Sequence, residues 1–198
     1  MFDPNKDPKT NKSLDISPSQ AGALGNLAER LIFIKSALPE QDRKAELDLE
    51  VRRQLDALGA YVKKEADLNP HTSRGLKIAA YSVGYGASLH TEVPEVHLGQ
   101  LDALQATDPF VGHDQSRWFA ETVEGAREIT ADETDRDNRF RDFATARLEY
   151  LDSQAANGDD VQGLSLATAG FLTGAAPSAH IQAAVQQRFA DAVMVQGA

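Results

Sequence analysis

A chain of 198 residues, 41% apolar and 25% charged, carries enough apolar side chains for one full core or two small ones. That composition excludes wholesale disorder. It has no cysteine and a formal net charge of −10, so disulfides, thiolate metal sites and cysteine nucleophiles are excluded. The charge also argues against nonspecific nucleic-acid binding, which needs a basic face. The negative charge is uneven: residues 115–160 hold six basic and twelve acidic side chains, a net of −6. That excess reads first as a solvated helix face and second as an acidic docking surface.

Residues 1–16 mix Asp, Asn, Lys, Pro, Ser and Thr with almost nothing apolar, and a flexible N-terminal tail is expected. No apolar run follows the lysines there, so no signal peptide is expected. A first helix is expected over 17–38. Ser17 is placed to cap it, Pro18 sits at the first helical position, and Leu24, Leu27, Ala28, Leu31, Ile34 and Leu38 form one face.

Pro39 ends that helix or opens the next, a long one over 40–68. Leu47, Val51, Leu55, Leu58, Val62 and Ala66 step by three or four residues and make a narrow apolar stripe, close to a coiled-coil seam. The other faces are charged, and Asn69–Pro70 stops the helix. A helix polar on three sides is peripheral, or it lends its stripe to a partner.

The third helix, capped by Thr72 or Ser73, contrasts with the second. Leu76, Ala79, Ala80, Val83 and Ala87 form one face, and Ile78, Tyr81, Tyr85 and Leu89 another. No charge occurs between Lys77 and Glu92, which places this helix inside a bundle. Gly75, Ala79, Ser82 and Gly86 give it a small-residue edge that a neighbour can approach closely. The Gly-x-Gly at 84–86 lacks the preceding strand and third glycine of a phosphate loop.

An extended connection containing Pro94 is expected over 90–97, then a short helix over 98–106 and a turn at Asp108–Pro109. Ser116 is expected to cap a helix bearing Phe119, Val123, Ala126 and Ile129. Thr130 and Glu133 read as a capping box for a long helix with Phe140, Phe143, Ala144, Leu148, Leu151 and Ala155 on its face. Asn157–Gly158 closes it as a left-handed C-cap. Two more helices follow: one over 161–173 with Leu164, Thr168, Phe171 and Leu172 inward, and one opened by Pro177 with Ile181, Val185, Phe189 and Val193. The Gly/Ala-rich stretch 161–176 is too short and too polar to span a bilayer. The fold expected is all-α: one helical bundle of about seven or eight helices over 17–198, behind the tail, with a looser division near 107–115.

Chemistry is weakly signalled. His90, Glu92, Glu95 and His97 bring two imidazoles and two carboxylates within eight residues, ligand types suited to a transition metal. His90, Glu92 and His97 are the candidate ligands, with His113, Asp114, Glu121 and Glu124 nearby if the chain folds back. The spacing matches neither a helical H-E-x-x-H nor an E-x-x-H pattern, and the competing reading is an exposed polar loop. The acidic run 132–138 lacks the glycine and the final glutamate of a calcium loop. No G-x-S-x-G elbow is present. Trp118, Phe119 and Phe110 read as core anchors.

Three functions follow from these features. The leading one is a non-enzymatic helical protein-interaction module: an adaptor, chaperone-like binder, inhibitor or assembly component. It needs no cofactor and binds a protein partner or a second copy of itself through Leu47, Val51, Leu55, Leu58 and Val62. The alternatives are a metal- or carboxylate-dependent enzyme built on 90–124, and an exported bacterial effector-like protein. A cytoplasmic location is expected, with non-classical export as the competing one.

Overall fold

The computed structural model describes residues 73–90, 110, 112–178 and 180–185, together with the isolated positions 49, 53, 60 and 64. Every regular element among the described residues is helical, and none is a strand. Four helices appear in full: α1 (Ser73–Ser88), α2 (His113–Ala131), α3 (Arg136–Ala156) and α4 (Gln162–Ala175). A further helical segment, α5, occupies 180–185. None of the described helices is long and apolar enough to cross a membrane.

The helices α1 and α4 form the centre. Ile78, Ala79, Val83 and Ala87 of α1 are fully buried, and Tyr85 on the opposite face is nearly so. This is the outcome expected of a helix without charge past Lys77. In α4 every residue from 166 to 175 is buried. The two helices pack backbone against backbone through a pair of glycines. A Cβ added to Gly86 would collide with the carbonyl oxygen of Phe171 and lie 2.7 Å from the amide of Ala175. A Cβ on Gly174 would in turn collide with the carbonyl of Val83 and lie 2.8 Å from the amide of Ala87. Neither neighbour is a side chain that can swing away, so this approach requires glycine on both helices. Two buried hydroxyls nearby bond to their own helix: Ser82 donates to the Ile78 carbonyl at 2.6 Å and Thr173 to that of Ala169 at 2.7 Å. Their polar atoms thereby stay satisfied away from water.

The amphipathic helices α2 and α3 cover this centre. Phe119, Val123, Ala126 and Ile129 of α2 are buried, as are Phe140, Ala144, Leu148 and Leu151 of α3. These are the rows that the sequence spacing picks out, except that Phe143 is half-buried and Ala155 exposed. Aromatic rings connect the layers. Tyr85 meets Phe171 at 5.4 Å, Phe171 meets Phe119 at 5.8 Å, and Phe119 meets Phe110 at 5.2 Å. Burial pushes the Tyr85 phenol above its usual pKa, while a hydrogen bond from the Arg127 guanidinium acts in the opposite direction.

The helix ends differ from expectation in three places. Gly112, not Ser116, is the N-cap of α2, and the Ser116 amide already donates to the Gly112 carbonyl at 3.1 Å. The Thr130–Glu133 capping box does not form. The α2 helix continues to Ala131, Thr130 donates to the Arg127 carbonyl, and α3 starts only after Asp135, whose φ is 48°. Two helices share that stretch, so the residues around 130 serve as the end of one rather than the start of the next. At α5 the cap is Ser178, so Pro177 precedes the helix and does not open it: the Ser178 hydroxyl accepts from the Ile181 amide at 3.4 Å and its carbonyl from Gln182 at 2.9 Å.

The expected end of α3 is present. Gly158 takes φ 91°, its amide donates to Ala155, and the Asp159 amide reaches back to Gln154 at 3.1 Å, the double bond of a Schellman motif. Positions 49, 53, 60 and 64, inside the expected 40–68 helix, are helical and exposed. The stripe Leu47, Val51, Leu55, Leu58 and Val62 lies outside the described residues. So do the tail 1–16, the expected helix 17–38 and the short helix 98–106.

Candidate functional site

Of the candidate metal ligands, only His90 is described. It follows α1, and its Nε2 donates to the carbonyl oxygen of Ala175 at 2.8 Å. That bond joins the ends of α1 and α4 and places the proton on Nε2, since a carbonyl can only accept. Glu92, Glu95 and His97 lie outside the described residues. His113 and Asp114 are exposed at the start of α2. Glu121 pairs with Arg117 at 3.2 Å and Glu124 with Arg127 at 2.9 Å. Among the described residues no group of three or more histidines and carboxylates is placed to hold a metal ion.

The acidic run 132–138 forms the turn between α2 and α3. Asp132 accepts the Thr134 amide at 3.0 Å and an Arg139 guanidinium nitrogen at 2.8 Å. The Thr134 hydrogen bonds, then Arg139, hold its carboxyl below the usual carboxylate range. Asp135 accepts from the Asn138 side chain at 2.8 Å. These carboxylates shape the turn, which is a sufficient role for them.

A different cluster emerges along the seam of α2 and α3. Phe143, Arg147 and Tyr150 follow one another at intervals of four and three residues, on the flank of α3 beside its buried row. Opposite them α2 presents Trp118 and Gly125. The rings of Trp118 and Tyr150 stack with centroids 5.5 Å apart and planes 18° from parallel. The Arg147 guanidinium lies 4.7 Å from the centroid of Trp118 and 5.5 Å from that of Phe143, within cation–π range of both. A Cβ on Gly125 would come within 2.7 Å of the Phe143 ring, so this glycine makes room for the ring.

The patch is at the surface. Tyr150 is 47% exposed, while Trp118, Phe143 and Arg147 are half-buried. Trp118 packs against the edge of the core while staying half-buried, and Phe119 next to it is the buried anchor. Every carboxylate from 115 to 160 is exposed. Arg117, Arg127, Arg139 and Arg141 each pair with one of them within 3.5 Å. Arg147 makes no ion pair among the described residues, and its charge is spent on the rings. The three-residue series on α3 was visible in the sequence, but its partner Trp118 was not, because that pairing spans two helices. Comparison with protein-family models, with curated proteins and with solved structures finds no match for this chain.

Proposed function

We propose that this chain is a non-enzymatic helical protein-interaction module, and that the seam of α2 and α3 is one of its contact surfaces. The observation that carries the reading is the exposed Trp118–Tyr150 stack with Arg147 on it. Trp, Tyr and Arg are the residue types that dominate binding energy at protein interfaces. Here all three are assembled and held in place before any partner arrives, so little side-chain entropy remains to be lost on docking. The core makes no demand for the exposed part of Tyr150, because Leu148 and Leu151 already fill the buried row of α3.

The reading extends to the remainder of the chain. Seven or eight helices in one bundle, with the apolar stripe Leu47, Val51, Leu55, Leu58 and Val62 on the helix 40–68, supply a second edge for a protein partner or a second copy. A cytoplasmic setting and a protein partner rather than nucleic acid suit the charge of −10.

Affinity capture on the immobilised full chain, read by quantitative mass spectrometry, tests the proposal. Tyr150→Ala is expected to lose a defined subset of captured proteins while keeping its helical circular dichroism. Val51→Asp is expected to lose a subset through the 40–68 edge, or to abolish self-association. Identical capture by wild type and both variants would refute the reading.

A further inference from the structure

The partner of the α2–α3 seam follows from the charges around it. We infer that this surface docks a basic, arginine-bearing segment of a protein partner, with Tyr150 and Trp118 at the centre of the contact; this rests on the interaction reading above. The first support is charge complementarity. Twelve exposed carboxylates lie between 115 and 160 against six arginines, and four of those arginines are already paired with a carboxylate. A fifth arginine, Arg147, is held over aromatic rings, and the segment keeps its net of −6. On α2, Asp114 stands one turn before Trp118 on the same side of the helix, while Glu121 one turn after it is paired with Arg117. On α3, Glu149 adjoins Tyr150, and Asp142 two turns earlier is paired with Arg141.

The second support comes from the rings. Arg147 shows that this site accepts a guanidinium against Trp118 and Phe143 at 4.7 and 5.5 Å. The exposed Tyr150 ring continues the same stack toward solvent. An incoming arginine can lie against Tyr150 and direct its donors to a neighbouring carboxylate, which is the planar, bidentate pairing that lysine cannot reproduce. The same charges argue against a second copy on this surface, because two faces with a net of −6 repel one another.

The test uses the full chain and a peptide array graded in net charge from acidic to basic, with arginine-to-lysine matched pairs in the basic set. The expected result is retention of basic peptides, a preference for arginine over lysine, and binding that weakens with added salt. Tyr150→Ala should weaken binding of the best arginine peptide about tenfold or more. Asp114→Asn with Glu149→Gln should weaken it further, and circular dichroism confirms that each variant is folded. Tyr150-dependent retention of acidic or neutral peptides overturns the basic partner but leaves the interaction surface standing. Basic binding indifferent to Tyr150, no retention at all, or self-association abolished by Tyr150→Ala each overturns the inference.

Discussion

The α1–α4 pair and the α2–α3 pair are both made of neighbouring helices, yet they are held by opposite means. In the first, small residues let two backbones touch, and the residues 82–88 and 166–175 that face each other are all buried. In the second, the helices stand far enough apart for Phe143, Arg147, Trp118 and Tyr150 to lie between them, and charge covers the outside. Each pair contains a glycine in close contact, which makes the contrast measurable. At Gly86 and Gly174 the obstacle to a Cβ is backbone; at Gly125 it is the Phe143 ring. A backbone held by two hydrogen-bonded helices cannot retreat, whereas a half-buried ring can turn outward. The first pair is therefore a fixed frame and the second an adaptable surface.

The sharpest way to break that contrast is a charge in the frame. Val83 is fully buried in α1, and Val83→Asp strips a carboxylate of water with no partner to receive it. A loss of at least about 3 kcal/mol is expected, a large fraction of the ~5–15 kcal/mol that keeps a domain folded. Urea titration followed by circular dichroism measures it, and a folded, soluble variant of wild-type stability would show that α1 is not central.

A gentler comparison sets one methyl group against the two kinds of neighbour. Gly174→Ala should cost about 2–3 kcal/mol, since the helices must separate to admit the Cβ. Gly125→Ala should change stability by less than about 1 kcal/mol, because alanine's better helix propensity offsets the displacement of Phe143. Thermal melts of the two variants decide this, and equal losses would dissolve the distinction between frame and surface.

The smallest effect expected lies in the exposed turn between α2 and α3. The folded-state carboxyl of Asp132 titrates below its ordinary value, chiefly through the Thr134 amide and then Arg139. Its contribution to stability is therefore complete above the ordinary carboxylate range and fades as pH falls through the lowered folded value. Asp132→Asn should slightly flatten the acid side of the melting temperature against pH. An unchanged profile would show that the turn contributes nothing through this charge.

Local signals placed most of the described helices correctly. The apolar rows of α2 and α3 follow from periodicity, because a helix in contact with a core must repeat its apolar residues every three or four positions. The Schellman end at Gly158 follows from the Asn-Gly pair, since the left-handed conformation is easy for glycine and costly for most other residues. The burial of α1 follows from the missing charges between Lys77 and Glu92. Helix starts were less legible at Ser116, Thr130 and Pro177. Several residues within one turn can cap a helix, and packing chooses among them.

What the sequence by itself determined was therefore the all-helical class, the faces that turn inward and the end of α3, each governed by contacts within a few residues. Tertiary structure decided the rest. Gly86 reads as a small residue on α1, but only its opposition to Gly174, 88 positions later in the chain, turns it into an obligatory glycine. Trp118 reads as core from its type and does pack on the core's edge, but only the arrival of Tyr150 and Arg147 from α3 makes it part of a surface cluster as well. Sequence spacing records the direction a side chain takes from its own helix. It does not record which helix arrives on that side, because that choice belongs to the packing of the whole bundle.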